Sequence, residues 1–202
     1  MDEGRKRVIG VMAKVGIESH WLIGARRALS PNQDARPIPA SEINLLVIHS
    51  ISLPPGSFGG AYIEQFFCNQ LDSAAHPYFR DISHLRVSAH LLIYRTGETV
   101  QCVSFDQRAW HAGESQYQGR SRCNDFSLGI ELEGTDKTPY TDIQYVKLAE
   151  VTQSLFRSYP RLLPERIVGH GDIAPGRKTD PGPSFDWTRY RSILEGLEAS
   201  YL

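Results

Sequence analysis

Residues 44–50, NLLVIHS, constrain the fold most, because they form a continuous apolar run that ends in a polar pair. A strand that is apolar at successive positions buries both of its faces, so its sheet needs covering layers on each side. His49 lies at the carboxyl end of the run, before a loop rich in proline and glycine. The run therefore predicts a covered sheet with a histidine at its edge.

A second apolar run, residues 166–169, leads into a glycine- and proline-rich loop that carries His170 and Asp180. Such a sequence is typical of a buried strand followed by a loop that holds polar side chains at the carboxyl end of the strand. The imidazoles of His49 and His170 and the Asp180 carboxylate would make a three-ligand zinc site with a fourth position for water. Spacing alone leaves the other interpretation open, in which each histidine is a hydrogen-bonded structural residue at a strand end.

The other patterns predict strands and helices around these two runs. They indicate a helix at residues 61–71, a loop at 72–83, a hairpin at 87–103, a strand at 126–132, a helix from Thr141 or Asp142 to about Tyr159, and a helix at 187–199 capped by Asp186. This loose alternation with a hairpin favours fold class α/β, with a central mixed β-sheet flanked by helices, over a doubly wound parallel sheet. We interpret residues 1–18 as an N-terminal extension of unknown role and expect residues 19–202 to form a single domain.

Charge and composition argue against some classes of partner and some cellular locations. The 202 residues carry a net charge of −1, so no global field recruits nucleic acid or an anionic membrane. The three cysteines are widely spaced and odd in number, which favours reduced thiols over a disulfide framework. The apolar patch at residues 8–13 is followed at once by Lys14. It is therefore shorter than the apolar region of a secretory signal peptide. We therefore expect a cytoplasmic protein with no nucleic-acid or membrane partner.

Several polar residues in these elements are candidates for chemistry. Glu131 lies among apolar neighbours in a predicted strand, where partial desolvation would raise its pKa and suit a general base. The alternative is that Glu131 is a surface carboxylate on an edge strand, and Glu133 could equally be that residue. Lys178 lies two positions before Asp180, near enough to stabilise an oxyanion if Asp180 binds a metal. His111, next to a tryptophan, is a candidate for lining a cleft.

Four segments in order resemble a known family. They read LVIHSISLPPGSFG, HPYFRDISHLRVSAHLLI, AWHAGESQYQGRSRCNDFSLGIELEGTD and IVGHGDIAPGRKTDPGPSFDW. Together they resemble the AmpD-type N-acetylmuramoyl-L-alanine amidases, which belong to the zinc amidase superfamily that also contains the peptidoglycan recognition proteins. The resemblance covers roughly residues 22–194, and it implies a mixed sheet with a zinc site at one end.

The resemblance also implies roles for individual residues. It implies that His49, His170 and Asp180 bind one Zn2+ with water as the fourth ligand, which leaves Asp172 to shape the loop. Glu131 matches the glutamate that activates the water, and Lys178 matches the lysine that stabilises the tetrahedral intermediate. The residues that fall in segments associated with substrate binding are Tyr78, Arg86, Trp110, Arg122 and Ser50. The family commonly has asparagine where this chain has Ser50, and a serine reaches less far.

The activity implied is cleavage of the amide between the lactyl group of 1,6-anhydro-N-acetylmuramic acid and L-Ala of the stem peptide. In the family this step belongs to peptidoglycan recycling and is linked to control of β-lactamase induction. The expected substrate is a cytoplasmic 1,6-anhydro-muropeptide, and a monomer is expected. Two alternatives stay open: an amidase that acts on intact peptidoglycan in the envelope, and a module that binds muropeptide without cutting it.

Overall fold

The computed structural model describes residues 15–199, so most of the predicted extension lies outside the described residues. The strands are β1 (Ile17–Glu18), β2 (Trp21–Leu22), β3 (Arg26–Arg27), β4 (Gln33–Ala35), β5 (Leu45–Ile51), β6 (Leu91–Ile93), β7 (Thr99–Gln101), β8 (Gln107–Ala109), β9 (Gln116–Tyr117), β10 (Arg120–Ser121), β11 (Ser127–Glu133) and β12 (Ile167–Gly169). The helices are α1 (Tyr62–Phe67), α2 (Pro77–Ile82), α3 (Asp142–Ser158), α4 (His170–Ile173) and α5 (Trp187–Ala199).

Within residues 15–199, six strands form the central sheet in the order β12-β5-β11-β6-β7-β3. The pairs from β12 to β6 are parallel, whereas β6 and β7 form an antiparallel hairpin. The sheet is therefore mixed and flanked by helices, which confirms the predicted fold class. Carboxyl ends of parallel neighbours meet at one edge of a sheet, and this edge is where β5, β11 and β12 end.

The alternation along β5 shows why its run is apolar throughout. Leu46 and Ile48 pack in one core cluster with residues of α3 and α5, while Leu45 and Val47 pack in a second cluster on the opposite face. Both faces are thus covered, as a continuous apolar strand requires. His49 follows Val47 on that second face and is 1% exposed.

The predicted long helices are confirmed with their caps. Thr141 accepts a hydrogen bond from the Gln144 backbone N–H, and the Gln144 side chain accepts one from the Thr141 backbone N–H, which completes a capping box at the start of α3. The Asp186 carboxylate accepts from the Arg189 N–H at 2.9 Å, at the start of α5. These two helices pack on each other and on one face of the sheet.

Two predictions around the shorter helices were wrong. Residues 72–83 were predicted as a loop, but α2 lies within them, because Pro77 suits a first helical position and the His76 ring accepts from the Tyr78 N–H. The helix predicted at residues 61–71 ends at Phe67, shortly before Asn69 adopts a left-handed conformation with φ of 59°.

The end of the predicted N-terminal extension packs on the domain. β1 pairs with β2, and the Val15 carbonyl accepts a hydrogen bond from the Ser154 hydroxyl of α3. The boundary predicted at residue 18 therefore falls inside a β-hairpin. Among residues 15–199, no helix is both long and apolar enough to cross a membrane.

Candidate metal centre

Three neighbouring strands bring the predicted site together. His49 lies in β5 directly opposite Glu131 in β11, and His170 follows the end of β12. Asp180 comes from the loop after α4, and its backbone carbonyl accepts a hydrogen bond from the Gly171 N–H at 3.0 Å. Residues more than 100 positions apart in the chain thus meet at the carboxyl edge of the parallel strands.

Three ligand-type atoms form a close triangle at this edge. The Nδ1 atoms of His49 and His170 are 3.0 Å apart, and they lie 3.2 Å and 3.1 Å, respectively, from Oδ2 of Asp180. Both rings are buried, with the carboxylate only partly exposed. Two imidazole nitrogens and one carboxylate oxygen are a donor set that zinc accepts.

The surroundings of His170 show why this triangle suits a metal ion. Its Nε2 atom lies 3.1 Å from the Ala112 carbonyl oxygen, which can only accept a hydrogen bond. A proton at Nε2 satisfies this carbonyl, and in that tautomer Nδ1 presents a lone pair to Asp180 and His49. Burial lowers the pKa of His49 to about 4, so the His49 ring is neutral near pH 7. Electron-rich atoms this close together favour a cation between them.

The loop that carries Asp180 is held by contacts outside the triangle. The Tyr140 hydroxyl donates to the Pro181 carbonyl at 2.9 Å, and a Cβ at Gly134 would lie 2.4 Å from the Tyr140 ring. The Asp172 carboxylate accepts from the Gly169 N–H at 2.7 Å, in keeping with a role in shaping the loop. These contacts fix the approach of the Asp180 carboxylate to the two rings.

Glu131 is a half-buried residue that lines the same cavity as this triangle. Its Oε2 atom is inaccessible and accepts no hydrogen bond from the described part of the chain. Burial raises its pKa well above the usual value; the negative charge of Asp180 adds to this, and the positive charge of Lys178 acts against it. A carboxylate with a free oxygen and a raised pKa is equipped to take up a proton.

Glu133, two residues further along β11, differs from Glu131 because both of its carboxylate oxygens accept hydrogen bonds. It is 2% exposed, and its carboxylate accepts hydrogen bonds from the backbone N–H groups of Gly59 and Arg95. The strand is central in the sheet, not an edge strand. The alternative of a surface carboxylate on an edge strand was therefore wrong for Glu131 and for Glu133. Glu133 ties two loops to the end of β11.

A cavity of about 740 Å³ opens above the triangle. Besides the three ligand-type residues, it is lined by Glu131, Lys178, Tyr78, Ser50 and His111. Tyr78 is 40% exposed, so much of its ring is available to a ligand. The cavity thus brings together both predicted catalytic residues and two of the predicted substrate-binding residues.

The other three residues predicted to bind substrate do not line this cavity. The Arg86 guanidinium donates to backbone carbonyls of residues 83–85, and the Trp110 ring N–H donates to Asp34 at 3.1 Å. Arg122 borders a second cavity of about 430 Å³ and pairs with Asp125 at 3.4 Å. Their part in substrate binding stays a prediction.

Sequence reasoning missed two contacts that the structure shows. Tyr140 was not singled out, although it holds the carbonyl next to Asp180. His111 was assigned only to a cleft, yet its Nδ1 lies 2.9 Å from Nε2 of His49. Neither residue has a spacing that marks it in the sequence. Gly129 offered the one indirect signal, since a Cβ there would lie 2.4 Å from the His111 ring.

Comparison with known proteins agrees with this geometry. Residues 39–183 match the family described as N-acetylmuramoyl-L-alanine amidase. The chain is 60% identical over 178 residues to the 1,6-anhydro-N-acetylmuramyl-L-alanine amidase AmpD of Escherichia coli (strain K12), covering 88% of this chain and 96% of that protein.

Solved structures show the same likeness. A crystal structure of a selenomethionine derivative of AmpD matches with a TM-score of 0.84 and 59% identity, covering 88% of this chain and 98% of that one. The amidase AmiD of E. coli, in complex with anhydro-N-acetylmuramic acid-L-Ala-D-γ-Glu-L-Lys, matches with a TM-score of 0.55 and 27% identity, covering 89% of this chain and 65% of that one. With a family match over most of its length and a relative this similar, the chain belongs to the N-acetylmuramoyl-L-alanine amidases, enzymes that hydrolyse an amide bond.

Proposed function

We propose that this amidase is a zinc-dependent hydrolase that cleaves the amide between the lactyl group of 1,6-anhydro-N-acetylmuramic acid and L-Ala, in peptidoglycan recycling. The observation that carries the proposal is the triangle of His49, His170 and Asp180 in one cavity with Glu131, which lies opposite His49 in the sheet. The names of the relatives support the substrate, as does the anhydro-muropeptide bound to AmiD.

The metal would be held by His49 Nδ1, His170 Nδ1 and Asp180 Oδ2. When bound, zinc supplies a Lewis acid and lowers the pKa of water from ~15.7 toward ~7. Glu131 is the proposed general base, because its side chain lines the cavity and its carboxylate, with a raised pKa, can take the proton of the attacking water. It then returns that proton to the L-Ala nitrogen, which leaves as the amine of the released peptide.

Lys178 is the proposed electrostatic partner of this step. Its side chain is exposed at the cavity, and its charge acts on both Glu131 and His49. An ammonium group there stabilises the negative charge that develops on the carbonyl oxygen as water attacks. The lysine does not exchange a proton in this scheme; it favours the transition state over the neutral amide.

The cavity offers basic side chains to the carboxylates of a muropeptide, beside the acidic Glu131, Asp136 and Asp180 that also line it. Its volume of about 740 Å³ is in the range that holds a small-molecule ligand, and Lys137, Arg177 and Lys178 place positive charge around it. Tyr78 offers an exposed ring to the sugar or the peptide. Ser50 lines the cavity next to His49, and its hydroxyl is hydrogen-bonded to the Tyr140 phenol. Because serine is shorter than asparagine, a bridging water would complete its contact with substrate.

A module that only binds muropeptide does not need the groups that this site contains. Desolvation of the Glu131 carboxylate disfavours its ionised form, and Lys178 lines the same cavity. Such a pair serves proton transfer and charge stabilisation better than it serves binding alone. We therefore propose a catalytic site. In keeping with the family resemblance, we also propose that the protein is a monomer that works in the cytoplasm.

Comparison of two substrates tests the proposal. The zinc-loaded enzyme is incubated with 1,6-anhydro-muropeptide and, in parallel, with intact peptidoglycan sacculi, and released peptide is measured by mass spectrometry. We expect rapid release of peptide from the anhydro-muropeptide and little from sacculi. Faster release from sacculi would identify an amidase of the intact wall, and binding of muropeptide without release would identify a binding module.

A further inference from the structure

His111 lies directly behind one of the proposed metal ligands. Its Nδ1 atom is 2.9 Å from Nε2 of His49, the ring nitrogen that faces away from the ligand triangle. The two rings meet edge to face, with an interplanar angle of 87° and centroids 5.0 Å apart. Both side chains are buried, so the contact is shielded from bulk water.

The direction of this hydrogen bond follows from the partners of His111. The Ser127 hydroxyl donates its one proton to the Cys123 carbonyl at 2.6 Å. Its oxygen therefore accepts from Nε2 of His111, which lies 3.1 Å away. A neutral imidazole protonated at Nε2 has a lone pair at Nδ1, and that lone pair accepts the Nε2 proton of His49. This arrangement leaves Nδ1 of His49 without a proton, facing the triangle.

The fold gives the His111 ring one position. The backbone N–H groups of His111 and Ala112 both donate to the side-chain oxygen of Asn124, at 3.1 and 2.8 Å. In β11, the absence of a side chain at Gly129 makes room for the ring, since a Cβ would approach it to 2.4 Å. Ser127, Gly129 and Glu131 alternate along β11 and share one face of it.

We propose that His111, oriented by Ser127, is a positioning residue that fixes the tautomer and ring orientation of His49 for metal binding. Ligand histidines commonly donate their second N–H to a carboxylate or a carbonyl; here the acceptor is a neutral histidine. This inference rests on the proposed zinc site. It adds to that site a chain of three hydrogen bonds, from His49 through His111 and Ser127 to the Cys123 carbonyl.

The tautomer can be read directly in the metal-free protein. Two-bond 1H–15N spectra of 15N-histidine-labelled protein distinguish protonation at Nδ1 from protonation at Nε2. We expect His49 and His111 both to carry the proton at Nε2. We expect His111→Ala to leave His49 with a mixture of tautomers, and Ser127→Ala to do the same to His111. The second variant keeps the test decisive if His111→Ala fails to fold.

Zinc affinity, measured by competition with a chromophoric chelator, gives the second readout. His111→Ala should weaken zinc binding about 10- to 100-fold, the usual effect of losing an outer partner of a ligand. His111→Asn places an amide oxygen near the position of Nδ1 and should recover most of the affinity. Ser154→Ala, which removes a buried hydroxyl of α3 that bonds to the Val15 carbonyl, is the matched control and should bind zinc like the parent.

The outcomes separate this inference from the zinc site itself. A folded His111→Ala protein with parental zinc affinity and an unchanged His49 tautomer would overturn the inference, as would a parent protein with the His49 proton at Nδ1. A parent protein that shows the expected tautomers and binds no zinc would support the hydrogen-bond chain and contradict the proposed zinc site.

Discussion

At the scale of single residues, the ligand-type residues were easier to predict than their supports. His49 and His170 each end an apolar run, and Asp180 lies in the loop after the second run, so strand patterns alone brought them into consideration. His111 and Tyr140 act through contacts that only the folded chain creates. Their importance depends on which atoms meet across strands, and no spacing in the sequence encodes that.

Replacing Glu131 by glutamine tests its role as a base. The amide keeps the size of the side chain and cannot take a proton, so we expect kcat to fall by about 10²- to 10⁴-fold. Zinc content should be unchanged, because Glu131 is not one of the three ligand-type residues. Steady-state hydrolysis and metal analysis of the same sample check both statements. Cleavage at the parental rate would show that another group takes the proton.

The same substitution should change how stability depends on pH in the metal-free protein. The pKa of Glu131 lies well above 4.5 in the folded state, so the folded state binds more protons than the unfolded state as pH rises past 4.5. Stability then falls with rising pH through this window, up to the folded pKa. Glu131→Gln removes this loss, so its stability relative to the parent should increase from pH 4.5 upward.

Urea unfolding of both proteins in the presence of a chelator, at several pH values, measures this difference. Glu165→Gln offers a control at an exposed glutamate. A stability difference between Glu131→Gln and the parent that does not change with pH would contradict the raised pKa.

At the scale of elements, β11 explains how one strand serves both core and site. Leu128, Ile130 and Leu132 pack in the core cluster that includes α3 and α5, while the alternate positions face the site. The sequence FSLGIEL predicted the strand, and the pairing with β5 then sets Glu131 opposite His49. Short helices were harder to predict, since six residues of α2 are too few to show a period.

Gly129→Ala tests the close approach across β11. The added methyl group would lie 2.4 Å from the His111 ring, so the ring must move and its hydrogen bond to His49 must lengthen. We expect weaker zinc binding and a less stable protein, by about 1–3 kcal/mol as is usual for overpacking. Isothermal titration with zinc and chemical unfolding measure the two effects.

Gly196→Ala is the matched control for that experiment. It lies in α5, where an added Cβ meets nothing within 4 Å, and alanine there should stabilise the helix by up to about 1 kcal/mol. If Gly129→Ala bound zinc as tightly as Gly196→Ala, the space at Gly129 would have no part in positioning the site.

At the scale of the whole molecule, the site joins distant parts of the chain. β5 and β11 supply His49 and Glu131, and the segment after β12 supplies the other site residues; the parallel order of these strands places their ends together. Sequence patterns predicted the strands and a mixed sheet. They did not predict the strand order or the short paired segments β1 to β4 and β8 to β10, because pairing between distant strands depends on tertiary packing.

Zinc should therefore stabilise the folded chain as a whole. A ligand that binds only the folded state at 100 times its Kd adds about 2.7 kcal/mol, and each kcal/mol raises Tm by roughly 2–4 °C for a chain of this size. Thermal unfolding with and without zinc measures the shift. His170→Ala lacks one ligand and should show little shift; an equal shift in both proteins would place the stabilising zinc elsewhere.

The most direct test of zinc-dependent cleavage follows hydrolysis as metal is restored. Chelator-treated enzyme is titrated with zinc, and 1,6-anhydro-N-acetylmuramyl-tripeptide is analysed by mass spectrometry at each step. We predict no cleavage without metal and full activity at one zinc per chain, with 1,6-anhydro-N-acetylmuramic acid and free tripeptide as the products. Intact substrate with the zinc-loaded enzyme, or cleavage that persists after all metal is removed, would contradict the account.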